Sequence, residues 1–363
     1  MAANRRTSLL SSWFPEATQP LVVAGPCSAE SEKQVLAIAK SLKEISQVSL
    51  FRAGVWKPRT RPGSFEGVGE VALGWLQSVK RETGLPTAVE VANAHHVEAS
   101  LKAGMDALWI GARTTVNPFF VQEIAESLRG VDIPVFVKNP IHPELGLWLG
   151  AIERLSQVGV EKILAVHRGF FSTQAAPFRN DPKWELSFDL RAEAPNIPIL
   201  ADPSHIAGDR NLIQEVAQTA LDLNLDGLMI ETHNDPDRAL SDAAQQVTPE
   251  SLQSILTHLE VKREEVSDAK LVSVIEDIRS RIDALDESLL SQLAQRNELV
   301  AEMAKIKESG KMTIFQLNRW FQLVDDRRKW GDKLKLDNSL VHDVFQVIHK
   351  HSVGLQTQLN KEK

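Results

Sequence analysis

The sequence contains a single cysteine, Cys27, in 363 residues. That excludes an internal disulfide framework and fits a reducing compartment. No apolar run reaches the length of a membrane span, and the opening stretch MAANRRTSLLSSWFPEATQP has two arginines but too short an apolar segment for a secretory signal. Basic clusters are also missing: Lys and Arg come in short helical pairs, and the formal net charge is −7. These absences argue against nucleic acid or a membrane as partner and predict a cytoplasmic protein, while small anionic ligands remain open to local groups of cations. What is present is ordinary for a globular chain, 43% apolar and 25% charged. The length predicts one large domain and one smaller one.

From residue 20 to about 260, short β-branched apolar runs alternate with longer amphipathic segments. Eight runs stand out: LVVAG, LFRAG, TAVEV, ALWIG, PVFVK, KILAV, PILAD and GLMIE. Continuous apolar runs suit strands buried on both faces, and eight βα units in this length predict a (β/α)8 TIM barrel over residues 1–262, with a doubly wound sheet as the alternative. The strand ends favour the barrel, because its active site gathers side chains from the C-terminal ends of many strands. The runs end on or near Cys27, Arg52 with Lys57, Glu90, Arg113, Lys138, His167 with Arg168, Asp202 with His205, and Glu231. Such a circuit, rich in cations and metal ligands, points to one convergent site for an anionic ligand.

Past Leu259 the strand pattern stops. VKREEVSDAK reads as a linker or helix start, and residues 263–363 as a helical domain. Apolar residues at helical spacing (Val274, Ile278, Ile282, Leu285, Leu289, Leu293) predict one long helix from Leu271 to about Glu308. Two shorter helices, Ile314 to Lys329 and Asn338 to Gln358, should follow, with breaks near Gly310 and Gly331. One long and two short helices enclose no full core, so pairing with a second copy in a homodimer is expected.

Cys27 in GPCSAE, His205 in ADPSH, Glu231 in MIETH and Asp242 in ALSD have metal-ligand chemistry. One thiolate, one imidazole and two carboxylates suit a divalent transition ion such as Mn, Fe, Co or Zn. No local spacing links them, and each alone could be a cap or a satisfied core residue. A lone cysteine, in particular, is more often a small buried hydrophobe. Lys57, Arg59, Arg113, Lys138 and Arg168 at neighbouring strand ends could hold two phosphate groups.

GPCSAE, FRAGVWKPRT, IGAR, VKNP, HRG, ADPSH and IETHNDPDRALSD, in this order, resemble the 3-deoxy-D-arabino-heptulosonate 7-phosphate (DAHP) synthases of the type I beta branch. The resemblance implies condensation of phosphoenolpyruvate with erythrose 4-phosphate. It implies that Cys27, His205, Glu231 and Asp242 hold the metal, and that Arg113, Lys138 and Arg168, with help from Arg52, bind phosphoenolpyruvate. Lys57 would donate a proton to the developing alkoxide, and Arg59 and Thr60 would hold the aldose phosphate. The sister 3-deoxy-manno-octulosonate 8-phosphate synthases share the barrel but typically carry a KANRS-like loop where this chain has KPRT. The roughly twenty residues before Leu21 are too few for a regulatory domain.

DIRSRIDALDESLLSQLAQRNELVAEMAKIK resembles the first helix of the all-helical chorismate mutases. The resemblance places Arg279, Arg296, Lys307, Arg319, Ser352 and Gln356 on substrate-binding positions, Lys307 and Gln356 at the ether oxygen, and Arg279 in a partner's site within an intertwined dimer. Two positions depart: where that family often has Asp and Glu, this chain has Gln316, which can still pair with a substrate hydroxyl, and Trp320, which cannot replace a carboxylate. Two activities in one chain are therefore expected, with prephenate feeding back on the barrel. The alternatives are a helical domain that mainly dimerises and senses ligand, or a barrel working on the longer sugar.

Overall fold

A computed structural model describes residues 2–58, 63, 65–173, 176–262 and 268–361. It divides into two units, Met1–Glu264 and Glu265–Lys363. In the first, β1 (Leu21–Gly25), β2 (Val48–Ala53), β3 (Thr87–Val91), β4 (Ala107–Ile110), β5 (Val135–Lys138), β6 (Ile163–His167), β7 (Ile199–Ala201) and β8 (Gly227–Glu231) form a closed barrel in sequence order. Every neighbouring pair is parallel, and closure is made by β1 against β8, Leu21 opposite Gly227 through Gly25 opposite Glu231. The doubly wound alternative is thereby excluded.

The helices between strands show why these segments fold as they do. In Glu32–Lys43 the side chain of Ser31 accepts from the Gln34 N–H as an N-cap, while Val35, Ile38, Ala39 and Leu42 turn one apolar stripe onto the barrel. Strand side chains pointing outward pack under such stripes in one core. Those pointing inward, among them Val23, Leu50, Trp109, Phe136 and Met229, fill the barrel itself as a second core. The N-terminal helix Ala2–Trp13 joins this inner core through Leu10, with Phe14 just beyond it stacked near Phe136 at 6.3 Å between ring centroids. Arg6 Nε fastens it at 2.9 Å from Asp226, the residue just before β8. The segment before Leu21 thus closes the barrel's N-terminal end, leaving the opposite end for chemistry.

In the second unit, a long helix Ala269–Ser309, a middle helix Leu317–Lys333 and a last helix Asn338–Lys361 are the described elements. The long helix runs 41 residues, somewhat beyond the expected bounds. Gly331 does not end a helix: it is buried inside the middle helix, where a Cβ would stand 2.6 Å from Val341 Cγ2 of the last helix. The glycine serves close helix packing, and the middle helix ends two residues beyond it, at Lys333, close to the expected break.

Candidate functional site

Cys27 follows β1, Glu231 ends β8 and Asp242 lies in the loop beyond it. One ligand atom from each falls within 4.8 Å of the other two. The Cys27 thiol donates to Asp242 Oδ2 at 3.4 Å. His205, in the short helix after β7, brings Nε2 to 3.8 Å from Glu231 Oε1, while its Nδ1 pairs with Asp202 Oδ2 at 2.8 Å. Burial keeps the His205 pKa low in spite of Asp202, so the ring is neutral and its Nε2 is available as a ligand. Burial first, then the Glu231 charge, pushes the Cys27 thiol up to about 12, a group that only a nearby cation would make a thiolate at neutral pH. Asp242 sits in the left-handed region at φ 47, a conformation that Asp tolerates better than most residues and that the surrounding contacts must hold. Glu231 Oε1 is buried without a hydrogen-bond donor, although Arg52 Nη2 lies 3.2 Å away. A soft sulfur, a neutral imidazole and two carboxylates, one of them with an orphaned buried oxygen, fit a divalent transition ion.

Cations ring the same end. Arg52 is buried, over the Trp109 ring at 4.7 Å, and although burial opposes its charge, Glu231 and Asp202 raise its pKa. Lys57 Nζ is 3.8 Å from Glu90 Oε2, and against the effect of burial the facing Cys27 and Glu90 raise its pKa. It therefore carries a proton to give. Gly54 makes this possible, since any Cβ there would strike the Lys57 ammonium and the Cys27 carbonyl. Lys138 Nζ donates to Asp202 Oδ2 at 2.7 Å, linking the cationic side of the pocket to His205. Arg168 is pushed down to about 10 by burial and by its neighbours Arg179 and Arg113, so it stays charged at neutral pH. Arg52, Lys57, Arg113, Lys138, Arg168 and His205 all line one pocket. Arg59 and Thr60 lie outside the described residues.

In the helical unit, Arg296 Nη1 of the long helix donates to Ser352 Oγ of the last helix at 2.6 Å. Lys307 Nζ donates to the Ile314 carbonyl at 2.7 Å, and both cations act on His349. Ser352 and Gln356 are buried on the inner face, and Arg319 is exposed near Arg327. Gln316 is the residue just before the middle helix and makes no side-chain cap. Arg279 does not join this group within the chain: it is exposed on the first half of the long helix and pairs with Glu276 at 2.7 Å.

The profile of the DAHP synthetase I family matches residues 16–267. The chain belongs to that family. Residues 278–357 match the family of chorismate mutase type II, so the chain joins a transferase barrel to a helical isomerase domain. It is 29% identical over 238 residues to the phospho-2-dehydro-3-deoxyheptonate aldolase of Thermotoga maritima, spanning 66% of this chain and 68% of that protein. It is also 29% identical over 268 residues to a 2-dehydro-3-deoxyphosphooctonate aldolase of Desulfatibacillum aliphaticivorans, spanning 66% and 90%. The crystal structure of the Thermotoga maritima DAHP synthase superposes with a TM-score of 0.59 at 26% identity, over 68% of this chain and 73% of that one. A truncated form of a 3-deoxy-D-arabino-heptulosonate 7-phosphate synthase from the same organism superposes at 0.57 with 24% identity, over 70% and 94%.

Several residues that shape the site carry no sequence signal. Gln245 Nε2 donates to Glu231 Oε2 at 2.7 Å, and Gln245 Oε1 accepts from Arg179 Nη1 at 2.6 Å. The next residue, Gln246, reaches the other way: its Oε1 accepts the Cys27 N–H at 3.0 Å. Asn139 and Asn180 accept from the Arg168 backbone and guanidinium at 2.6 and 2.9 Å. Amides in loops show no periodicity, and only the fold brings them to the strand ends. The one usable hint is VKNP, where Asn139 directly follows the cationic strand end.

Proposed function

We propose that the barrel condenses phosphoenolpyruvate with erythrose 4-phosphate, forming DAHP and inorganic phosphate, and that the helical unit rearranges chorismate to prephenate. The observation that carries the first half is the meeting of the Cys27, Glu231 and Asp242 ligand atoms beside a pocket lined by five cationic side chains. Cys27, His205, Glu231 and Asp242 would hold the ion, Mn, Fe, Co or Zn, which would supply Lewis acidity toward the aldehyde of the aldose. Arg113, Lys138 and Arg168, with Arg52 behind them, hold phosphoenolpyruvate through charge-assisted contacts. Its enol carbon attacks the aldehyde, and Lys57 gives a proton to the oxygen that becomes the new hydroxyl. Water then adds at the neighbouring carbon and phosphate leaves, its charge met by the same fixed cations. Arg59 and Thr60 receive the aldose phosphate.

In the helical unit the reaction is unimolecular, so the site needs only to hold the reactive conformer and meet the charge growing on the ether oxygen. Arg296 and Arg319 bind carboxylates, with Ser352 and Gln316 alongside, and Lys307 and Gln356 serve the ether oxygen. Arg279 belongs to a second copy's site. The exposed apolar face of the long helix, including Ile278, Ile282, Leu285 and Leu289, supports a homodimer through the helical domains, with the domain boundary at residue 263. We place the enzyme in the cytoplasm, where Cys27 stays reduced, without nucleic-acid or membrane partners. With both activities in one chain, prephenate made by the second unit would restrain the first.

The test is phosphoenolpyruvate consumption with erythrose 4-phosphate or arabinose 5-phosphate, with added Mn and with a chelator. Consumption only with the four-carbon sugar, abolished by the chelator, is expected. The relatives that act as 2-dehydro-3-deoxyphosphooctonate aldolases make the five-carbon sugar the second reading, and turnover with it alone would replace the first. Chorismate loss should be abolished by Arg296→Ala; equal rates in both would leave the helical unit a dimerising sensor. Feedback predicts slower synthesis at saturating prephenate, and an unchanged rate would remove it.

A further inference from the structure

On the last helix, His349, Ser352 and Gln356 follow one another at i, i+3 and i+7 and so share a face. That face looks inward, since Ser352 and Gln356 are buried and Ser352 accepts from Arg296. His349 is held by aromatic rings: Trp320 of the middle helix tilts over it at 4.4 Å between centroids and 33°, and Phe315 meets it edge-on at 5.9 Å. Its charged neighbours are the cations Arg296 and Lys307. An imidazole facing two cations is most stable neutral, presenting a lone pair to them rather than an N–H.

Among the described residues, two covered polar atoms on this row meet no hydrogen-bond partner, His349 Nε2 and Gln356 Oε1. A covered polar atom without a partner is costly, and two of them flanking one Arg–Ser pair mark a face built to receive something polar. The reading of the helical unit as a chorismate mutase, on which this inference rests, has the amide N–H of Gln356 donate to the ether oxygen and the arginines donate to the carboxylates. The ring hydroxyl of the substrate, which Gln316 at the start of the middle helix can also meet, has in His349 Nε2 a covered acceptor without a partner among the described residues. Trp320, standing where that family often has a carboxylate, offers no acceptor of its own, but it fixes the ring that does.

We propose that His349 is a further substrate-binding residue of the mutase site, its Nε2 accepting a hydrogen bond from the chorismate ring hydroxyl, with Trp320 as the platform that positions it. A contact made to the hydroxyl is made equally before and during the rearrangement, so it acts on KM and leaves kcat nearly unchanged.

The experiment measures chorismate turnover by the full chain carrying His349→Leu, His349→Gln or Arg296→Ala. His349→Leu should raise KM by roughly tenfold, the effect of one lost hydrogen bond, with kcat within about twofold. His349→Gln, which offers an amide oxygen in nearly the same place, should recover most of that KM. An unchanged KM in His349→Leu, or an equal loss in both His349 variants as a purely structural role would give, overturns the proposal. Arg296→Ala separates the two levels: if it abolishes turnover while His349→Leu is silent, only the assignment of His349 fails, whereas full turnover in Arg296→Ala overturns the mutase reading itself.

Discussion

Gln245 illustrates how a neutral side chain can set the behaviour of charged ones. Its amide ties the Glu231 carboxylate to Arg179, which in turn holds Asp242 at 3.1 Å. Two of the proposed ligands are therefore oriented by one amide, and such outer partners are worth about 10–100-fold in metal affinity. Gln245→Ala should weaken binding of added divalent ion by that amount in a calorimetric titration, and an unchanged affinity would mean that the carboxylates are held by other contacts. His167 is the opposite case, a titratable group kept from charging. It is buried among Trp148, Phe170 and Trp184, and burial, helped by Arg168, pushes its pKa down to about 4. The unfolded chain takes up this proton near pH 6.5, whereas the folded chain does so only near 4. Stability from this group is thus complete above pH 6.5 and is lost as pH falls toward 4, by at most about 1.4 kcal/mol per pH unit. Urea unfolding at pH 7 and pH 5 should show a smaller loss in His167→Phe than in the parent, and equal losses would remove His167 as the cause.

At the scale of elements, two contacts show packing overriding local preference. Gly331 lies within the middle helix, where alanine would be favoured by about 1 kcal/mol on propensity alone. Yet a Cβ would stand 2.6 Å from Val341 Cγ2, a branched side chain with little room to turn. Overpacking of that kind costs about 1–3 kcal/mol, so Gly331→Ala should lower the unfolding midpoint of the helical unit, and adding Val341→Ala should restore part of it. The N-terminal helix is fastened to the barrel by Leu10 and Arg6, both almost fully buried. Leu10→Ala should destabilise the barrel by about 2–5 kcal/mol, read from thermal unfolding followed by tryptophan fluorescence. A loss near zero would mean that the helix rests on the barrel without completing its inner core.

At the scale of the whole molecule, the second unit leaves a broad apolar face of its long helix uncovered. Most of the first half of the long helix is exposed, including Val274, Ile278, Ile282, Leu285, Leu289 and Leu290, an apolar stripe far beyond what monomers usually expose. Leu285→Glu with Leu289→Glu should convert a dimer to monomer in sedimentation at micromolar concentration. Because Arg279 stands on the same half, chorismate turnover should fall with it. If turnover survives in the monomer, Arg279 serves no partner's site.

Much of this protein was legible before any coordinates. The eight apolar runs correspond to the eight strands, since a strand buried on both faces must be continuously apolar, and the helical period after Leu259 marked the second unit. Cys27, Glu231 and Asp242 could be named as candidates because few residue types bind a metal or accept a phosphate, and strand ends are where a barrel displays them. Their meeting within 4.8 Å was decided by closure of β1 on β8, which joins residues more than two hundred positions apart and leaves no local trace. The roles of Gln245, Gln246 and His349 were likewise decided only in three dimensions. An amide or a neutral imidazole takes its meaning from the partners around it, and those partners come from loops and neighbouring helices whose approach is set by packing rather than by spacing along the chain.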